Sequence, residues 1–505
     1  MNSKTWTRII ALALFAALAL PLQLAAQAPT QPQHRYHHYQ IVDPGTFGGP
    51  SSGLQNPNLP RAGVLSNNGT LVGTASTPAW DPYCGCNAGD AFQYQDGVIT
   101  DLGRVPGGID SQANWISGNG LIAGLGDNGV QDPLAGFPIP YLHGLLWDHG
   151  IMTDLGTLPE GGNLVFPIGV NNLAEVVGAA QNTVPDLNSM FPPYPTQTRA
   201  FYWRDGAMQD LGTLGGTDAQ AVLINERGQV VGWSYTNSTP SAICNGFPFF
   251  FPLTTSSFLW DKQNGMRDIG GLGGTCTIAQ DLNNQGQIVG DSALTGDTLL
   301  HPFVWDPVTG MTDLGTASGN YGETRAINEH GDVAGQVCDA AYTSCPAALW
   351  RKAGGKWRMT NLGTIVTGGC AKSTSVNASA QVVGTDWCAN PAAPFLSEDG
   401  GPVVDLNTLV PPKSGIQLVE GVQINDRGEI AVQGPDADGN NHAVVLIPCD
   451  ENHPGIVGCD YSLVDAATAA AQSAARPYAP SRTQRPIHPQ LGNRLHLRGV
   501  NPQGK

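Results

Sequence analysis

Three short patterns recur in fixed order along this 505-residue chain, and their period limits the fold more than any other feature. The first is Asp-Leu-Gly-Thr, at Asp43 (with Pro44 for Leu), Asp101, Asp154, Asp210, Asp268, Asp313, Asn361 and Asp405. The second is an apolar residue, Asn, two residues, Gly, then an apolar pair and a last Gly. It is clearest as INERGQVVG at 224–232, LNNQGQIVG at 282–290 and INDRGEIAV at 424–432. The third is an aromatic-rich run such as AFYW at 200–203, FLW at 258–260 and FVW at 303–305. Each pattern occurs eight times, and the first returns about every 52 residues between Asp43 and Asp405.

Local chemistry turns each repeat into four strands. Asn-x-x-Gly suits a type I turn with Asn first and Gly fourth; Ala174 and Ala380 fit there because the fourth position only favours glycine. The Gly after Asp-Leu is expected at positive φ, and Asn407, its replacement in the last copy, should share that left-handed backbone. Asp96-Gly97, Asp205-Gly206 and Asn264-Gly265 follow the aromatic run as hairpin signals. The repeat therefore reads as strand a (ending Ile-Asn), strand b (Gln-Val-Val-Gly), strand c (the aromatic run) and strand d (ending Asp-Leu-Gly). Four antiparallel strands at this period predict an all-β fold, a β-propeller. The chain opens with a lone strand d at 39–45 and closes with a, b and c up to Pro448. The orphan strand completes the last blade, which closes the ring without an exposed edge. Eight blades are predicted, or seven if one irregular copy is displaced.

The sequence AFYWRDGAMQDLGTLGGTDAQAVLINERGQVVG at 200–232 resembles the HAF family of extracellular repeat proteins, and the resemblance covers about 39–448. That family is similar to kelch and WD-type propellers in strand plan. It brings no activity or catalytic residues to carry over.

Composition bounds the rest. Glycine supplies 65 residues and charged residues only 13%, while 41% hydrophobic residues can fill a large core; collagen, coiled coil and wholesale disorder are excluded. Residues 1–28 read as a signal peptide, with Lys4 and Arg8, an apolar stretch at 9–20 and the small-residue site Ala26-Gln27-Ala28. Residues 29–38, with His34, His37 and His38, read as a leader before the propeller at 39–448. Residues 449–505 read as a largely disordered extension with a short Ala-rich helix near 464–475; from Ala466 onward the tail holds six cations and no acid. No later apolar segment is long enough to span a membrane, so the protein is expected to be secreted, outside the cell or in the periplasm. A formal net charge of −17 repels phosphate backbones and argues against a nucleic-acid partner.

The expected function is a non-catalytic binding or scaffold module, with an extracellular glycan or protein as partner. The alternative is a propeller enzyme, lyase or glycosidase, acting on extracellular polysaccharide. The b–c loops vary most in length, and variable loops on a rigid frame are where binding evolves. Phe191, Tyr194, Phe247, Phe249, Phe250 and Phe251 lie in such loops and could stack on sugars, or fold back to cap the channel. The ten cysteines suit disulfides: Cys244 and Cys276 in loops of one face, likewise Cys370 and Cys388, with local pairs Cys338/Cys345, Cys449/Cys459 and the tight Cys84/Cys86. Their spacing does not match a paired C-x-x-C metal site. Repeated Asp residues at one structural position point to turn capping, and no catalytic or cofactor motif is present, so no catalytic residue, metal or cofactor is expected. Asp436-x-Asp438-Gly439-Asn440 reads as a hairpin rather than a calcium loop, lacking the bidentate Glu.

Overall fold

The computed structural model describes residues 34–54, 63–135, 138–191, 194–246, 251–316, 319, 321–412 and 414–474. The signal-peptide assignment lies outside these residues. The fold is all-β, as expected: five separate four-stranded antiparallel sheets, and a twelve-stranded sheet in which three further four-stranded units are joined. Single parallel bridges, Thr255 to Cys276 and Leu300 to Tyr321, make those joins. The fourth repeat shows the pattern: a, Ala219–Ile224; b, Val230–Pro240; c, Leu253–Asp261; d, Gly265–Asp268. In this repeat strand a is buried along its whole length, whereas strand d is half-exposed or exposed.

The N-terminal strand Tyr39–Val42 pairs with Asn441–Pro448 and completes the last four-stranded sheet. Its Asp43 carboxylate holds the His442 imidazole at 2.9 Å. The described end of the segment read as a leader, 34–38, is also built into the fold. Arg35–His37 pairs with Leu463–Asp465, and Tyr36 is fully buried. The C-terminal extension, expected to be largely disordered, is folded through its helix Ala466–Ala474 because that strand pair and the Cys449–Cys459 disulfide anchor it. Among the described residues no helix is long and apolar enough to cross a membrane.

Turn chemistry explains the recurring residues. Each Asp of Asp-Leu-Gly accepts a hydrogen bond from the glycine N–H two residues on, as from Gly103 to Asp101 (2.7 Å) and Gly212 to Asp210 (2.8 Å). Those glycines lie at φ +78° and +85°. Asn407 does not: it sits in a 3-10 turn, Leu406–Thr408, capped by Asp405, so the last copy turns by a different route. The fourth position of the Asn-x-x-Gly turn is stricter than expected, since Ala174 and Ala380 are held at φ +57° and +55°.

The turn asparagines also link neighbouring repeats. Each Oδ1 caps its own turn, while Nδ2 donates to the main-chain carbonyl of the equivalent residue in the next copy. Asn171 donates to Asn225, Asn225 to Asn283, Asn283 to Asn328, Asn328 to Asn377 and Asn377 to Asn425, at 2.8–3.1 Å. Asn425 then donates to Ser66 of the first copy at 2.9 Å.

Strand a carries a register shift in the second to eighth sheets, skipping Asn114, Ile168, Val222, Gln280, Arg325, Thr374 and Val422 in turn. Opposite this bulge one partner is glycine. A Cβ at Gly232 would stand 2.1 Å from the Gln220 carbonyl oxygen and 2.6 Å from the Phe258 ring. In the last sheet the glycine has moved to strand a, where Gly421 faces Val432.

Candidate active site

A bulge re-aims the side chain it displaces. In the second to eighth copies that side chain is apolar or neutral, Gln280 in the fifth included, except in the sixth, where it is Arg325. These two belong to a buried ionisable cluster spread over three repeats. Strand a of the sixth repeat, Tyr321–Ile327, also supplies Tyr321 and Glu323. Strand a of the seventh, Ala371–Val376, supplies Lys372, and strand b of the fifth, Ile288–Leu294, supplies Asp291.

Glu323 is the hub. Its carboxylate accepts the Tyr321 phenol at 2.8 Å and faces Lys372 Nζ at 3.3 Å and Arg325 Nε at 3.6 Å. Arg325 donates to Gln280 Oε1 (3.3 Å), Gln280 donates to Asp291 Oδ2 (3.2 Å), and Asp291 accepts the Thr324 N–H at 2.8 Å. Burial pushes the Glu323 carboxyl up, but the Lys372 and Arg325 cations outweigh it and hold the group well below the ordinary range. Asp291 moves the other way: burial and the Glu323 charge keep it protonated. Burial and the Arg325 charge pull the Lys372 ammonium down to about 8. Burial raises the Tyr321 phenol far above its usual range, so it stays protonated. One carboxyl kept ionised, one kept protonated and an amine titrating near neutrality can hand protons to and from a bound molecule.

Sequence reasoning missed this cluster. The signal was available: YGETRAIN at 321–328 puts Glu323 and Arg325 where AQAVLIN at 219–225 has Gln220 and Val222. The expectation of no catalytic candidate is corrected accordingly.

The aromatic loop residues are corrected too. Phe191 and Tyr194 are 1% exposed and pack in one core cluster with Phe166, the Phe166 and Phe191 rings lying 5.7 Å apart. Phe251 is buried against Trp233, with ring centroids 5.3 Å apart. These rings fill core positions beneath their loops. Phe247, Phe249 and Phe250 lie outside the described residues. The cysteines form five disulfides, Cys84–Cys86, Cys244–Cys276, Cys338–Cys345, Cys370–Cys388 and Cys449–Cys459. Asp436 caps its hairpin by accepting the Asp438 and Asn440 N–H groups.

No protein-family model and no curated protein matches the sequence. Among solved structures, the chain is similar to a Mycobacterium tuberculosis puromycin-hydrolyzing peptidase (14% identity, TM-score 0.42, covering 78% of this chain and 62% of that one). It is also similar to Porphyromonas gingivalis dipeptidyl peptidase 4 (10%, 0.42, covering 80% and 66%) and to an ulvan polysaccharide lyase (9%, 0.30, covering 82% and 95%). The chain thus spans less than two thirds of the length of the two peptidases. These findings run against the expectation of a non-catalytic binding or scaffold module, since the similar structures are peptidases and a lyase, although a likeness at TM-scores below 0.5 carries no argument about this chain's own activity. At these identities the likeness is one of fold, and the chemistry has to be argued from the side chains.

Proposed function

We propose that the repeats close into an eight-bladed propeller, and that this propeller is a secreted enzyme cleaving extracellular polysaccharide by proton transfer around Glu323. Closure is supported by the pairing of Tyr39–Val42 with Asn441–Pro448, by the His442–Asp43 contact and by the Asn425–Ser66 hydrogen bond. Secretion is supported by five disulfides, which persist in oxidising compartments, and by the signal-like N-terminus. The repeat motifs support membership of the HAF family.

The observation that carries the enzymatic reading is the contact of Glu323 with Tyr321, Arg325 and Lys372 across two neighbouring repeats, whereas Glu420, at the equivalent position of the eighth copy, faces the neutral Gln433. A base and a proton donor in contact suit β-elimination from a uronate residue, where both act on one side of the scissile bond. Glu323 takes the proton on the carbon next to the uronate carboxyl, relayed by the Tyr321 phenol, as a carbon–carbon double bond forms. The glycosidic C–O bond breaks, and the leaving oxygen takes a proton from the Lys372 ammonium. Arg325, Asp291 and Gln280 are positioning residues that fix the Glu323 carboxylate. The test is reducing-end release by the full chain from polygalacturonate, alginate, xylan and galactomannan. Tyr321→Phe should lower release by about 100-fold while circular dichroism is unchanged, and Glu323→Gln should abolish it. No release from polygalacturonate or alginate, or a full rate in Tyr321→Phe, overturns the reading.

A further inference from the structure

Two aromatic rings stand in solvent beside this cluster. Tyr342 is 59% exposed and Trp387 is 41% exposed, whereas most large rings of the described chain are buried. Tyr342 sits between strands b and c of the sixth repeat and Trp387 between those of the seventh. Each is fixed at its base by a disulfide. Cys338–Cys345 closes the loop that carries Tyr342, and Cys370–Cys388 ends one residue beyond Trp387.

Main-chain hydrogen bonds tie the two loops together. Cys345 N–H donates to Gly369, the Ala371 N–H donates back to Cys345 (both 2.9 Å), and the Trp387 N–H donates to Cys370 at 3.1 Å. The Tyr342 backbone lies at φ +55°, a left-handed conformation that a bulky side chain seldom takes. The Asp339 turn holds it there: the Tyr342 N–H donates to the Asp339 carbonyl at 3.1 Å, and the Thr343 N–H to the Asp339 carboxylate at 2.8 Å. From this position the Tyr342 ring stands 6.0 Å from Tyr321, whose phenol reaches Glu323. Strained backbone that holds a side chain outward is a mark of ligand clamps.

We infer that Tyr342 and Trp387, on the b–c loops of the two repeats that supply Glu323 and Lys372, are a saccharide-stacking platform serving that site. The inference rests on the reading of that cluster as the polysaccharide-cleaving centre. Flat, rigidly held rings amid polar loops suit the apolar C–H face of a sugar ring. Tyr342 also adjoins the proton-transfer groups through Tyr321. A protein partner would instead need a broader apolar patch around the rings.

The test is affinity electrophoresis of the full chain in native gels containing polygalacturonate, alginate, xylan or galactomannan. At least one polysaccharide should retard the wild-type chain. Trp387→Ala and Tyr342→Gly should each weaken that retardation by roughly tenfold, the loss expected of one stacked ring. Tyr342→Gly relieves the left-handed strain, so its melting temperature should hold or rise while binding falls, which separates lost stacking from lost folding. Glu323→Gln, if it folds, should still be retarded. Product release without retardation, or variants retarded like wild type, overturns the platform. Retardation without product release overturns the catalytic reading and leaves the platform standing. Neither retardation nor release overturns both.

Discussion

Asn425→Ala tests the proposed ring at its seam. Asn425 is 3% exposed and uses its whole amide. Its Oδ1 accepts the Arg427 and Glu429 N–H groups at 3.0 Å, and its Nδ2 donates to Ser66 at 2.9 Å and to Glu429 at 2.6 Å. Asn225 makes the matching set within the body of the chain: Arg227 and Gln229 N–H at 3.0 Å, Gln229 Oε1 at 2.9 Å and Asn283 at 3.1 Å. Truncation to Ala strands two turn N–H groups and one neighbouring carbonyl at either site. At about 1 kcal/mol for each buried group left unpaired, both variants should lose about 3 kcal/mol. Were the seam open, Asn425→Ala would lose only its own turn contacts, about 1–2 kcal/mol. The assay is urea unfolding of the oxidised protein, followed by tryptophan fluorescence and circular dichroism together. Equal midpoint shifts with coincident transitions support closure. A cost at Asn425 of two thirds or less of that at Asn225, or an early separate transition, refutes it.

Ala174→Gly should stabilise the chain by about 0.5–1 kcal/mol, because relief of the left-handed backbone outweighs the extra freedom glycine gives the unfolded chain. Ala380→Gly should come out near neutral, since that methyl is 4% exposed and its loss costs about 0.8 kcal/mol; urea midpoints check both, and a destabilised Ala174→Gly sinks the argument. Burial pushes the Glu420 carboxyl up to about 7, against the pull of the Gln433 amide. The folded state therefore holds this proton more tightly than the unfolded chain, and wild-type stability falls as pH rises from the ordinary carboxylate range to about 7. Glu420→Gln should melt like wild type near pH 4 and higher than wild type near pH 8; equal melts at both pH values would remove the buried carboxyl from the account. The Asp43 hydrogen bond raises the His442 imidazole, so its contribution is complete below the unfolded value and fades as pH rises through the raised one. Burial pushes Asp43 up, but His442 and the Gly45 N–H bring it below its ordinary value, so its share is lost as pH falls through that depressed value. His442→Gln should therefore cost most in the mildly acid window between the two and least in alkali, as melting curves across pH will show.

Much of the frame was legible in the residues because it is written eight times. Asp-Leu-Gly specifies a capped left-handed turn wherever it occurs, and Asn-x-x-Gly specifies another, since both act over two to four residues. The same locality misled at Asn407, where a 3-10 turn replaced the left-handed one, and at Ala174 and Ala380. Whether the aromatic loops stack on a ligand or fold back was left open for a related reason. Sequence shows that Phe191 and Tyr194 are apolar and sit in a variable loop, but only the packing against Phe166 decides that they are core.

The sequence by itself determined the strand plan, the turn chemistry and the pairing of the first strand with the last, because period and local hydrogen bonding leave little choice there. Tertiary structure alone decided the site. Glu323, Arg325, Lys372 and Asp291 come from three repeats, and their protonation follows from burial and from one another's charge. Electrostatic coupling of this kind depends on distances across repeats, and a repeat motif read one copy at a time carries no record of them.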